Sequence, residues 1–229
     1  MRRRGLGSRK ARLVLSVAGG IVLLLALAQA LLPRIAASRI GSRVGRYGKV
    51  QSVSVSAWPA LTLLWGDAES VHVRARSLSL SPQQVAELLW EGRGASSMQV
   101  SAERVELGSL ALSDASLRKH GSALNAQAFA TEAGVRAALP EGVGVRLLRS
   151  EGGEVEVQAT GSLFGLSASV SAVAGAVEGK LVAHPLGFLV EALQLTLFSN
   201  EHVYVEGIGA SVHGEHPLSY RLTMNGKLR

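Results

Sequence analysis

Val71-His72-Val73-Arg74-Ala75-Arg76 alternates apolar and polar residues without a break. A strand sends successive side chains to opposite faces, so this hexapeptide has one apolar face and one basic face. His72, Arg74 and Arg76 share the face expected in solvent. The same period recurs at 52–57, 154–159, 166–172 and 218–225. Strands with one wet face belong to antiparallel sheets. Near Val100 the pattern slips, because Val100 and Ala102 are followed by Val105 and Leu107. The extra residue at Glu103-Arg104 predicts a bulge, which bends and twists a sheet. Gly152-Gly153 predicts a tight turn.

Two helices interrupt the strands. Ser81-Pro82-Gln83-Gln84 supplies an N-cap, a proline at the first helical position and a capping-box glutamine. Val85, Leu88 and Leu89 form the stripe of this helix, and Gly92 ends it. A second, weaker helix is expected over Ala126 to Leu139, stopping before Pro140. The expected class is α+β, with nine or ten strands and two or three helices.

Towards the amino terminus, residues 13–32 carry no charge and only two polar side chains, Ser16 and Gln29. As a helix, such a run rises about 30 Å, the thickness of a bilayer's hydrocarbon core. Its Leu, Ile and Val residues contribute roughly −4 to −7 kcal/mol to insertion. Arg2, Arg3, Arg4, Arg9, Lys10 and Arg12 precede it with no acid among them. The positive-inside rule then leaves residues 1–12 as a cytoplasmic tail, makes 13–32 a transmembrane anchor and exports the rest. Ala26-Leu27-Ala28 and Ala28-Gln29-Ala30 also fit a signal-peptidase site, so secretion after cleavage is the alternative. Residues 33–49 read as an amphipathic juxtamembrane helix. Ala36, Ala37, Ile40, Val44 and Tyr47 lie on one face, with Arg39, Arg43 and Arg46 on the other. Ile35 breaks that pattern. Residues 50–229 form one exported domain.

The net charge of +7 resembles that of a nucleic-acid binder, but its distribution does not. Eleven basic residues lie at or before Lys49, and all 17 acids lie beyond it. The remaining 13 basic residues leave the exported domain at 13 − 17 = −4. Basic charge therefore flanks the membrane segment, where anionic headgroups are its partners. The absence of cysteine excludes a catalytic thiol, a thiolate metal site and a lipid-modified cysteine.

No serine-hydrolase elbow and no phosphate loop occurs in the chain. His213-Gly214-Glu215-His216 is the one local cluster of metal-ligand types, and it reads as a solvated hairpin turn. The expectation is a non-enzyme with no cofactor and no metal site. Trp58-Pro59-Ala60-Leu61-Thr62-Leu63-Leu64-Trp65 contains no charge, in a chain that is only 4% aromatic. It reads as a core strand or turn, or as the mouth of an apolar cavity or an interfacial loop, where tryptophan is favoured.

The order of these pieces resembles the LmeA-type phospholipid-binding proteins of actinobacterial envelopes. The resemblance rests on Ser56 to Gly66, on Val71 to Ala75, and on Gly153 to Gly165. It covers most of residues 33–185, and the carboxy-terminal third matches less well. It implies a fold like the tubular lipid-binding proteins, a strongly curved antiparallel sheet packed on two or three helices with an apolar groove for acyl chains. It also implies phospholipid binding and support of envelope lipid or lipoglycan assembly, with no catalytic residues. The residues placed to line such a groove are Ile40, Val44, Trp58, Leu61, Leu63, Leu64, Trp65, Val71 and Val73. Small residues such as Ala128, Ala159, Ala168 and Ala172 would leave room in it. Arg39, Arg43 and Arg46 are expected at the headgroups. The expected partners are phospholipid, the membrane surface and an envelope-assembly protein. The alternative is a scaffolding domain with a closed core that binds another envelope protein.

Overall fold

The computed structural model describes residues 27–163, 166–186, 194–215 and 217–229, so the expected tail 1–12 and all but the last six residues of the expected anchor 13–32 lie outside the described residues. Among the described residues no helix is long and apolar enough to cross a membrane. The described residues are mostly strand, with sheets packed against few helices. Residues 27–44 form helix α1. There follow β1 (Gly48–Ser56), β2 (Ala68–Leu80), α2 (Pro82–Glu91), β3 (Ala95–Leu107), β4 (Leu110–His120), β5 (Ala123–Thr131) and α3 (Glu132–Ala137). The chain continues through β6 (Val143–Glu151), β7 (Glu154–Leu163), β8 (Leu166–Val177), β9 (Lys180–Leu186), β10 (Leu195–Phe198), β11 (Val203–Glu215) and β12 (Leu218–Leu228).

The strands form two sheets rather than one strongly curved sheet. One has the order β1-β2-β3-β4-β5-β12-β11, the other β10-β9-β8-β7-β6. The sheet is not strongly curled. Nor is every pair antiparallel: β2 and β3 run parallel, because α2 carries the chain back to the start of the next strand. That helix begins as its residues dictate. Ser81 Oγ accepts from the Gln84 N–H at 3.2 Å, and Gln84 Oε1 accepts from the Ser81 N–H at 2.8 Å.

The expected helix over Ala126 to Leu139 is mostly strand. Ala126, Ala128 and Ala130 pair with Met224, Leu222 and Tyr220 of β12, and only α3 is helical. Alanine favours helices locally, but these alanines alternate with Gln127, Phe129 and Thr131, and the waiting edge of β12 decides.

Register explains the large sheet. Val53, Val73, Val100, Leu117, Ala126, Met224 and Ile208 stand side by side across its seven strands. One apolar face therefore runs from edge to edge. The slip expected at Glu103 is shared by three strands. The ladder skips Arg76, Glu103 and Asp114 at one level, and Asp114 has a φ of 46°. Beyond that level the buried residue of β2 changes from Ala75 to Leu78. The inward-facing set has moved by one residue, so the sheet stays apolar inside despite the irregularity.

The second sheet closes the outer edge of β11. Gly179 O accepts from the Val205 N–H and Gly153 O from the Ile208 N–H, both at 2.9 Å. Ser150 Oγ accepts from the Ala210 N–H at 2.9 Å. These bonds satisfy an edge that would otherwise be open to strand addition. Gly152 and Gly153 do form the tight turn between β6 and β7, with φ of 63° and 87°. Gly153 also lies against Gly207, where a side chain on Gly207 would come within 3.1 Å of the turn's backbone.

Candidate functional site

Helix α1 presents Gln29, Leu32, Pro33, Ala36, Ala37, Ile40, Gly41 and Val44 at alternating spacings of three and one, all half-buried. This is the 3.6-residue period of a helix lying on a surface. Ile40 and Val44 pack on Val71, Val73 and Ala95, with Val53, Val55, Met98 and Val100 around them. Val73 is 4% exposed. Where a groove was expected between α1 and β2, these side chains make a packed cluster. Four of the expected groove residues meet here: Ile40, Val44, Val71 and Val73. Trp58 and Leu64 point away from it, 79% and 64% exposed, and Leu63 is half-buried. Leu61 and Trp65 belong to the 3-10 turn Ala60–Trp65, and their side chains lie outside the described residues.

All three arginines expected at headgroups, Arg39, Arg43 and Arg46, are exposed. Arg43 is held by Glu91 of α2 at 2.7 Å. This pair bridges α1 and α2 over the packed face.

A second apolar region was not foreseen. Met224 and Leu222 of β12, Ile208 and Ala210 of β11, and Ala126 of β5 share the inner face of the large sheet. They are half-buried and belong to none of the three packed clusters among the described residues. The helix cover is uneven along these strands. Ala86 and Leu89 of α2 pack with Leu124 of β5, Val203 of β11 and Leu228 of β12, and α3 lies against β4, β5 and β12. The half-buried rows, which form an apolar strip, begin one inward position past Leu124, at Ala126. Ala128 lies at the floor of that strip, buried, where a small side chain keeps it shallow. No charged residue sits in its Ala126-Met224-Ile208 or Ala128-Leu222-Ala210 rows. A strip of this lining can take an apolar chain, with about 0.8 kcal/mol for each methylene buried. The signal in the sequence was Ile208-Gly209-Ala210, an alternation diluted by glycine.

The other concavity is of a different kind. A cleft of about 340 Å³ is lined by Arg149, Glu151, Gly152, Glu154, Glu156 and Val173. Arg149 lies 3.3 Å from Glu156, so its charged lining suits no acyl chain. His213 packs on the Phe129 ring at 4.5 Å, with Arg221 3.4 Å from its Nδ1. His216 lies outside the described residues, and no group of metal-ligating side chains occurs among those described.

Lys119 is a buried cation on the inner face, between Met98 and Leu124. Its Nζ donates to Arg93 O at 3.1 Å and to Ala95 O. Burial lowers its pKa from the usual 10.5. The ammonium ties β4 to the chain leaving α2 and closes that end of the face.

A family model described as LmeA-like phospholipid-binding matches residues 24–219. The chain belongs to this family. The match takes in α1, the second sheet and the large sheet as far as Ser219 of β12, so it extends beyond the 33–185 over which the resemblance was legible, while Leu222 and Met224 lie past its end. No curated protein and no solved structure matches the chain.

Proposed function

We propose that this protein is a membrane-anchored, non-enzymatic phospholipid-binding protein of the cell envelope, supporting envelope lipid or lipoglycan assembly. Residues 1–12 lie in the cytoplasm, 13–32 hold the chain in the membrane, and the domain works outside. The observation that carries the binding reading is the half-buried apolar strip formed by Ala126, Ile208, Ala210, Leu222 and Met224 in a member of this family. An acyl chain laid there completes the cover that α1 and α2 begin.

The test is lipid extracted from full-length protein purified in detergent, for wild type and for Leu222→Arg. Phospholipid should accompany the wild type and be lost from the variant, with little change in melting temperature. No lipid in either protein would remove the binding reading. A periplasm- or exterior-active reporter fused after Arg229 checks the topology, and activity confined to the cytoplasm would reverse it. The packed cluster beneath α1 favours the closed-core scaffold at that location, and a wild type without lipid would extend that second reading to the whole domain.

A further inference from the structure

Gln29 lies within the uncharged run, three residues before its end at Leu32. Its side chain nevertheless holds the Trp58 loop. Nε2 donates to Ala57 O at 3.2 Å, and Oε1 accepts from the Ala60 N–H at 2.7 Å. The loop is thereby fixed at the level of Gln29. If Leu32 marks the outer end of a membrane segment, that level is about 4.5 Å inside it.

The surface around this clamp matches such a depth. Leu27, Leu31 and Ile35, at i, i+4 and i+8, form an outward stripe on α1, each about half exposed. Ile35, the residue that spoiled the amphipathic pattern, belongs to this stripe. Past Ile35 the exposed positions of α1 become Ser38, Arg39, Ser42 and Arg43, with Arg46 exposed in the 3-10 turn that follows. Apart from Arg34, which is exposed beside Ile35, the outer surface thus turns from apolar to basic along the helix axis. Beside its apolar end stand Trp58 and Leu64, in a loop without charge from Trp58 to Gly66.

We infer that Leu27, Leu31, Ile35, Trp58 and Leu64 form one face that docks in the interfacial layer of the bilayer crossed by residues 13–32. Tryptophan is favoured at that depth, and Arg39 and Arg46 beyond it face the headgroups, while Arg43 pairs with Glu91. The clamp makes tether and loop a rigid unit, so the domain stands at a set height and tilt on the membrane. The inference rests on the anchor proposed above, and it is separate from the acyl-chain strip.

The experiment uses full-length protein carrying Trp65→Phe and Trp90→Phe, which leaves Trp58 as the sole tryptophan. It is reconstituted into vesicles of phosphatidylcholine and phosphatidylglycerol bearing bromine near either the carbonyl or the methyl end of the acyl chains. Carbonate-resistant co-flotation reads the anchor; quenching of Trp58 reads the docking. The expected result is co-flotation, emission at shorter wavelength than for the water-exposed residue, and stronger quenching by the shallow label. Adding Gln29→Ala should reduce that quenching while co-flotation persists. Co-flotation with Trp58 unquenched by either label would overturn the docking and leave the anchor standing. Disulfide-linked dimers of Leu64→Cys formed under those conditions would assign the face to a second copy instead. Failure to co-float would remove the anchor and the inference together.

Discussion

Two polar side chains among apolar neighbours fix the local geometry. Gln29 reads in the sequence as the one amide in an apolar run, a weak point for insertion. Its use appears only with Ala57 and Ala60 beside it, 28 and 31 residues away. Gln29→Ala should cost about 1–3 kcal/mol, since a backbone donor and acceptor lose their partner. Faster amide exchange at Ala60, with denaturant unfolding, checks this. Lys119 lies in Leu117-Arg118-Lys119-His120, which looks solvated. Strand register alone turns it inward, between Met98 and Leu124. Its lowered pKa means that, below 10.5 and above the folded value, the unfolded chain binds more protons. Stability should therefore rise with pH through that window. Lys119→Met should flatten the rise and cost about 1–3 kcal/mol at neutral pH, by leaving two carbonyls without this donor. Unfolding followed between neutral and alkaline pH reads both effects.

Elements with punctuation were the most legible. Helix α2 has its cap, its proline and its stripe in consecutive residues. Of that stripe Leu89 is buried and Val85 and Leu88 are half-buried, and Ala86, which the stripe did not include, is buried beside them. Ser81→Ala should remove half of the capping box and cost about 1 kcal/mol, measured by thermal unfolding. The segment after Ala123 shows the opposite case. Little local distinguishes an alanine-rich helix from an alanine-rich strand when Phe129 stands at a polar position of the alternation. The hydrogen-bonding edge of β12, some 90 residues later, makes the choice.

For the whole molecule, the balance between helix cover and sheet width decides what is open. Because Ile40 and Val44 fill the space over Val73, Val73→Trp should overpack this cluster and destabilise by about 1–3 kcal/mol or more. Phospholipid should still accompany the folded fraction, because the open strip begins three strands away. The measurement is melting temperature together with lipid per protein. Loss of lipid at unchanged melting temperature would return the site to the α1 face.

The sequence by itself determined the period of the strands, the capped helix α2, the Gly152-Gly153 turn, the charge asymmetry across residues 13–32 and the family. Each of these is local or compositional: alternation, cap chemistry, positive φ and charge counting need no partner strand. Tertiary structure alone decided that there are two sheets, that β2 and β3 run parallel, and that Lys119 faces inward. It also decided that the space beneath α1 is filled while the rows at β5, β12 and β11 stay half-open. Those outcomes depend on which strands become neighbours and on how far the helices reach across seven strands, and neither is written in any short stretch of residues.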